Sequence, residues 1–439
     1  MGRYKVAAGL DLHAAMIQAG LRRERGRKVI LSARSFGTTR QQLWELRDWL
    51  KEEGCEAVGM EATGVFWKPV FRELEGHMRV VVGNPQHMRV LRGRKTDKRD
   101  AAWITQKTMD DEIPPSFIAP LEVRERSEVA RLRENLVEEQ TRVRNEIHKL
   151  LRGAGVPLKD VVSDLFGVSG MAILESLARG ESAWEKLPGM LRGKLRKKVD
   201  TLRLALEVPL TEVQQWEMSF QLKRLEEARK KLDEVEEELE RRLAPFEEVR
   251  ARIATTPGIG RLGAGLVIAH VGTELAKSFP DGGNFASWMG LVPGDNETSG
   301  KQKAAPTRKG NKYLRSLFVE FAWAAVRTKG CWLKSKYWSL RARMLEKKAI
   351  VAIAHKLAVI VYLLIVRGGT YKDHGDGYEP SKTKARQLKK AIKLIQSMGG
   401  RVELASETAM EEPPTPTTQK KISKALKENP TKGTDMFSG

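Results

Sequence analysis

The chain has 439 residues, enough for two or three domains with cores of their own. Lysine and arginine outnumber aspartate and glutamate by 78 to 56, and the resulting charge of +22 points to a polyanionic partner, with nucleic acid the default. Cys55 and Cys331 have no CxxC spacing, so neither a disulfide framework nor a zinc site is indicated, and a charged strand-like start in place of an apolar signal run points to a cytoplasmic protein.

Residues 4–12 read as a strand ending near Asp11, and residues 16–21 and 28–36 follow with turn signals between them, as in a three-stranded meander. Leu43, Leu46 and Leu50 give residues 39–53 helical spacing. A short strand over 57–61 ends at Glu61, residues 64–75 read as a helix, and a strand over 79–82 stops at Gly83-Asn84-Pro85. This α/β pattern is the mixed sheet with covering helices that an RNase H-like domain requires, in which acids at strand ends and on one helix face meet at one sheet edge. The matching helix face lies in Lys95-Thr96-Asp97-Lys98-Arg99-Asp100-Ala101, where Asp97 and Asp100 at i and i+3 share a face. With Asp11 and Glu61 they supply four hard oxygen donors suited to Mg²⁺ or Mn²⁺. The plainer reading makes Asp97 and Asp100 solvated charges among Arg94, Lys95, Lys98 and Arg99.

Further on, Val129, Leu132, Leu136, Val143, Ile147 and Leu150 form a near-heptad stripe over about 123–152. Leu225, Ala228, Leu232, Val235 and Leu239 do the same over about 211–243. Narrow stripes of this kind suit long coiled-coil helices, paired as an antiparallel hairpin or between molecules. The stretch 157–209 reads as short helices without a functional assignment. Thr255-Thr256-Pro257-Gly258-Ile259-Gly260 reads as a helix-hairpin-helix turn, with Gly258 and Gly260 candidates for backbone contact to phosphate. Residues 301–315 carry Lys301, Lys303, Arg308, Lys309, Lys312 and Arg315 with no acid, and 382–393 add more bases. The apolar run 349–366 is interrupted by His355 and Lys356, so it reads as a buried helix and not a membrane span. Beyond about 400 the chain is polar and rich in proline and threonine, the composition of a disordered tail.

Ser299 stands before Gly300 in a polar loop between Gly290-Leu291-Val292-Pro293 and Lys309-Gly310-Asn311. A serine beside a glycine and among cations can attack a phosphodiester, although serine in such a loop is commonly just turn chemistry. Ser287 and Ser316 read as structural residues on helices. Glu61-Ala62-Thr63-Gly64, Asn84-Pro85, the 95–101 segment, Pro257-Gly258-Ile259-Gly260, Gly290-Leu291-Val292-Pro293, Ser299-Gly300 and Lys309-Gly310-Asn311 with Leu314-Arg315 occur in one order. Together they resemble the DEDD transposases of the insertion-sequence "IS one-ten" family, which includes the Piv-type invertases.

The resemblance covers roughly 4–110 and 250–370. It implies a RuvC-like domain over 1–115, a helical and coiled-coil connector over 116–249 with an insertion at 157–209, a mainly helical transposase domain over 250–372, and a basic then disordered tail over 373–439. It assigns the metal-binding carboxylates to Asp11, Glu61, Asp97 and Asp100, and the nucleophile to Ser299. It further implies double-stranded DNA partners at the element ends and target, a noncoding bridge RNA as guide, and a homodimer or homotetramer with no membrane partner. Phe66-Trp67 departs from the commoner Tyr-Trp, and Lys301 to Pro306 is less glycine-rich than usual. Two other functions fit the composition: a junction nuclease using metal-activated water, and a nonenzymatic nucleic-acid-binding protein.

Overall fold

The computed structural model describes residues 3–26, 28–85, 88, 100–181, 189–294, 297–298, 301–302, 305–373, 375 and 392–398. Strand β1 (Val6–Leu12) is buried at every position except Asp11, because helices cover both faces of its sheet. It pairs antiparallel with β2 (Met16–Arg25), which pairs antiparallel with β3 (Lys28–Gly37). After α1 (Arg40–Glu52), β4 (Ala57–Glu61) joins β1 in parallel; after α2 (Trp67–Leu74), β5 (Arg79–Gly83) joins β4 in parallel. The sheet order is β3-β2-β1-β4-β5.

One face of the sheet, with Leu10, Ile17 and Met60, packs on Leu46 and Leu50 of α1 and Val70 and Leu74 of α2. The other face is nearly bare backbone, and α3 (Asp100–Met109) lies directly on it. A β-carbon at Gly9 would collide with the α3 backbone at Ala101 and Thr105, and one at Gly59 with the Thr108 side chain. The Thr105 hydroxyl donates to the Gly20 carbonyl at 3.1 Å. At the far end the Arg3 and Tyr4 amides donate to the Met109 carbonyl at 2.9 and 3.3 Å. The helix therefore runs antiparallel to β1, and its first residue, Asp100, sits at the Asp11 end.

The connector is built on two long helices, α4 (Leu121–Gly153) and a later partner spanning Glu212–Leu243. Arg133 pairs with Glu236 at 2.8 Å, Gln140 donates to the Ala228 carbonyl at 3.3 Å, and Arg224 pairs with Glu146 at 2.8 Å. As one partner number rises the other falls, so the two helices form an antiparallel hairpin within one chain. The stripe is imperfect: Leu132 is 49% exposed, whereas Val143, Ile147, Leu225 and Leu239 are buried. The segment between them folds into short helices α5 (Leu158–Val161), α6 (Val168–Ala178) and α7 (Val199–Ala205). Leu158, Ile173, Leu174 and Leu202 close a separate core over the distal end of the pair. The partner helix, α8 (Glu212–Leu243), opens with a capping box between Thr211 and Gln214, which satisfies its first amides.

The C-terminal body begins with α9 (Glu247–Ala254) and α10 (Arg261–Val271), joined by the Pro257–Gly260 turn. Arg250 is 1% exposed and ties this turn to α8, donating to both Glu240 oxygens and to the Arg261 carbonyl. These hydrogen bonds, chiefly from Arg250, lower the Glu240 pKa. After α11 (Gly282–Trp288), the short pair β6 (Glu297–Thr298) and β7 (Lys301–Gln302), α12 (Lys312–Arg327) and α13 (Trp332–Arg341), helix α14 (Glu346–Arg367) completes the body. Ile350, Ile353, Leu357, Val361 and Ile365 of α14 enter one core with Val267, Phe285, Phe318 and Phe321. Among the described residues this is the one helix long and apolar enough to cross a membrane, and 56% of its apolar window is buried in the body. The body runs past residue 372, since the Asp373 carboxylate accepts from the Trp332 and Gly375 amides at 3.0 and 2.8 Å. Residues 399–439, the expected disordered tail, lie outside the described residues, as do five of the six bases expected over 382–393, Lys393 being the exception.

Candidate active site

Parallel pairing sets the carboxylates side by side. The β1–β4 register ends at Leu10 opposite Met60, so Asp11 and Glu61 occupy the next rung on neighbouring strands. Parallel strands lie about 4.8 Å apart, and residues at one rung face the same way. Both carboxylates thus sit on the α3 side of the sheet at its carboxyl edge, where α3 begins at Asp100. His13 Nε2 lies 3.1 Å from an Asp11 carboxylate oxygen, which accepts when that nitrogen carries the proton, and the Thr63 hydroxyl donates to Glu61 at 3.1 Å. Asp97 lies outside the described residues, and only the backbone of Asp100 is described. Among the described residues no group of three or more histidine, cysteine or acidic side chains gathers as a metal cage. Two hard carboxylates on adjacent strands still fit a Mg²⁺-class ion, which is commonly held by one or two carboxylates, with substrate phosphate and water completing the shell.

The strand beside Glu61 leads straight into a cleft. Glu61 is in register with Gly83, the Ala62 amide donates to the Gly83 carbonyl at 2.9 Å, and Asn84-Pro85 form the first part of the cleft wall. The cleft has a volume of about 1340 Å³ and runs between the sheet domain and the C-terminal body. Among the described residues its lining holds Arg131, Arg308, Lys309 and Lys312 and no carboxylate. A wall of cations without acids, between two domains, is the electrostatic footprint of a phosphate backbone.

The wall facing the sheet domain is fixed by interlocked turns. Gly290 has φ +75°, and a β-carbon there would press on the Arg308 carbonyl; one on Gly310 would collide with the backbone of Trp288–Gly290. Arg308 donates its amide to the Val292 carbonyl at 3.1 Å, and the Asn311 side chain caps α12 at the amides of Tyr313 and Leu314. Arg315 donates to the Gly290 carbonyl. Arg315 therefore anchors the turn, a role the basic run alone did not indicate, and only its other N–H groups remain for phosphate. Lys309 and Lys312 are exposed, and the Lys312 ammonium lies 4.8 Å from the centre of the Tyr313 ring.

Several expected contacts stand differently or out of reach. Gly258 (φ +84°) packs its open side on the backbone of Phe321 and Ala325, so that glycine serves helix packing. Gly260 stays exposed at the start of α10 and is the candidate that keeps its backbone open. Ser299, Gly300, Lys303, Arg94, Lys95, Lys98 and Arg99 lie outside the described residues. Lys301 is described through its backbone alone, in the pairing of Thr298 with Lys301 on either side of residues 299–300. Ser287 lines the cleft, and Ser316 is exposed on α12.

Sequence reasoning missed Arg131, which reaches the cleft from α4 with its guanidinium 5.0 Å from the centre of the Tyr313 ring. Tyr313 in turn stacks on His270 at 5.9 Å, and His270 Nδ1 lies 2.9 Å from the Ser127 hydroxyl. Burial, aided by Arg131, pushes the His270 pKa down to about 4, so this ring is neutral near pH 7. Arg131 sits on a helix face crowded with other charges, and no local signal separates it from them.

A mixed sheet carrying carboxylates on its edge, facing a cationic helical body, is the arrangement of an enzyme that acts on nucleic acids. The DEDD transposase model of the IS110 group matches residues 8–155, and a second, described as the transposase of the IS116/IS110/IS902 family, matches 250–338. The chain is 27% identical over 342 residues to a probable family 20 transposase of Pseudomonas aeruginosa, across 75% of this chain and 89% of the relative. It is 26% identical over 299 residues to the transposase for insertion sequence element IS1111A of Coxiella burnetii, across 66% and 72%. A third relative, the transposase for insertion sequence element IS1328 of Yersinia enterocolitica, is 27% identical across 56% of this chain and 64% of its own length. The chain belongs to the IS110 family of DEDD transposases. It is accordingly a DNA-binding transposase, an enzyme of DNA recombination.

Proposed function

We propose that this transposase excises and inserts its own element by serine-mediated strand exchange, using a Mg²⁺-dependent carboxylate site and a bridge RNA that selects the DNA. The observation that carries the reading is the convergence of Asp11, Glu61 and the start of α3 at Asp100 on one sheet edge, one residue from a cleft lined by cations. Asp11, Glu61, Asp97 and Asp100 would hold Mg²⁺ or Mn²⁺, which when bound supplies charge neutralisation at the scissile phosphate.

Ser299 is the proposed nucleophile. Its Oγ forms a bond to phosphorus as the bond from phosphorus to the leaving strand oxygen breaks; the serine proton passes to solvent, and the leaving oxygen takes one up. In the second step the hydroxyl of an incoming strand attacks the phosphoserine and loses its proton, while the serine oxygen departs and is reprotonated. One phosphodiester is lost and one made, so the exchange draws on no nucleoside triphosphate. Arg308, Lys309 and Lys312 offset the charge of the transition state and hold the flanking phosphates. Lys301, Lys303 and the 94–99 bases extend the same role.

The division of carboxylates and serine between two domains supports a homodimer or homotetramer in which the site is completed between protomers, acting in the cytoplasm on element ends and target DNA. The test is covalent trapping. Wild type incubated with Mg²⁺, guide RNA and labelled DNA should leave label on protein after denaturation, and Ser299→Ala should leave none while still binding nucleic acid. An adduct that survives Ser299→Ala and disappears in Ser287→Ala moves the nucleophile to the cleft serine. Cleavage without any adduct supports water-mediated junction cleavage instead.

A further inference from the structure

Off the side of the cleft opens a smaller cavity of about 170 Å³, where the sheet domain, α4 and the C-terminal body meet. Trp67, Phe117 and Trp288 supply aromatic walls, Ala119 a small one, and Lys68 and Arg131 reach it with their charged ends. Trp67 follows the Glu61 motif by six residues, and Phe117, Trp288 and Arg131 line the cleft as well. We propose that this cavity receives the base of one nucleotide unstacked from the strand in the cleft, with Arg131 binding that nucleotide at the cavity mouth. The proposal rests on the cleft's being the nucleic-acid path.

Three observations select this ligand. A dry cavity of about 150 Å³ admits benzene, so a space of this size takes one heteroaromatic ring system and excludes a base pair. Its lining includes three aromatic side chains, the kind of surface on which unpaired bases stack irrespective of sequence. Arg131 Nε is buried and has no hydrogen-bond partner. Lys68 pairs with Glu128 at 3.5 Å and Arg124 with Glu75, whereas among the described lining residues Arg131 Nε is the buried donor without an acceptor. Its position is set in advance, because its guanidinium lies over Tyr313, which is braced by His270. An extruded nucleotide brings both missing parts, a ring for the cavity and acceptor oxygens for Arg131. Chemistry on a nucleic-acid strand benefits from such an anchor, since unstacking one nucleotide bends the backbone and exposes the adjacent phosphate.

The full-length protein is titrated into three probes: a short DNA duplex with one bulged 2-aminopurine, the same duplex with that base paired, and an RNA–DNA hybrid bulged in its RNA strand. The bulged duplex should bind about tenfold tighter than the paired one, equivalent to about 1.4 kcal/mol, with the 2-aminopurine emission quenched by stacking. Ala119→Phe fills the cavity and should abolish both the preference and the quench without weakening the paired duplex. Trp67→Leu removes one wall and should act in the same direction, so the test survives if the filled variant fails to fold. A preference confined to the hybrid assigns the nucleotide to RNA within the same cavity. Equal binding of bulged and paired probes by wild type, or a preference retained in both variants, overturns the proposal. Failure of wild type to bind any probe overturns the cleft reading instead.

Discussion

The two sides of the candidate site are held by opposite means. On the sheet side, Asp11 and Glu61 are placed by backbone register, in a sheet buried under helices on both faces. On the body side, Arg308 and Lys309 stand on a turn and Lys312 opens α12, kept in place by the contact of Gly290 with Gly310, the Asn311 cap and the Arg315 anchor. The difference suits the roles proposed for the two sides. Metal ligands need placement within a fraction of an ångström, which rigid elements supply. Phosphate-binding cations act over longer range and tolerate a looser mount.

Removing a carboxylate tests the sheet wall most severely. Asp11→Asn and Glu61→Gln keep shape and register but remove a charged ligand, so recombination should fall at least about a thousandfold, or roughly 4 kcal/mol. DNA binding in a filter or gel assay should stay near wild type. Recombination retained in both variants would remove the metal assignment from this edge.

The next largest effect is expected beneath the body wall and depends on pH. The folded-state pKa of His270 lies near 4, below the ordinary value of 6.5. Above 6.5 the ring is neutral in both states and its burial costs nothing in protonation. As pH falls from 6.5 toward 4 the unfolded chain takes up the proton first, so stability is lost, by up to about 3 kcal/mol. His270→Gln, which can still bond Ser127, should flatten the denaturant midpoint against pH over that window. An unchanged slope would show that this ring does not titrate as its burial demands.

Gly310→Ala tests the interlock itself. With the added methyl driven into the backbone of residues 288–290, the turn must open, at a cost of about 2 kcal/mol in unfolding free energy. Recombination should drop with it, whereas Gly260→Ala, with open space around the β-carbon, should cost less than about 1 kcal/mol. Equal effects at the two positions would mean that the body wall is not held by this contact.

The smallest effect belongs to the cations. Lys309→Ala should reduce the slope of log affinity against log salt by about 0.9, the contribution of one phosphate contact on duplex DNA, with little change in thermal stability. An unchanged slope would make Lys309 a solvated charge outside the DNA path.

Much of the architecture was legible in order of residues alone. The strands at Asp11 and Glu61, the two long helices and the buried character of α14 follow from side-chain period, because burial of one face imposes that period locally. The expected strand over 57–61 and the helix observed over Glu212–Leu243 needed no information from elsewhere in the chain. The motifs of the family also marked both cleft walls, through Asn84-Pro85 and Lys309-Gly310-Asn311. What local pattern could not show was which face each residue meets. Leu132 keeps the heptad spacing yet is exposed, since the partner helix packs on a neighbouring strip.

Tertiary structure alone decided the rest. Gly258 and Gly290 have the same local signature, a glycine at positive φ, but one is closed by Phe321 and Ala325 and the other by the 308–310 turn. Arg315 belongs to a basic run by sequence and to a turn anchor by contact with Gly290. Arg131 and Trp67 are separated by two elements in the chain, and only the docking of the helical connector on the sheet domain brings them to one cavity. Hydrophobic period is a property of a segment and can be read from it, whereas the partner of a glycine or an arginine is a property of the packed whole.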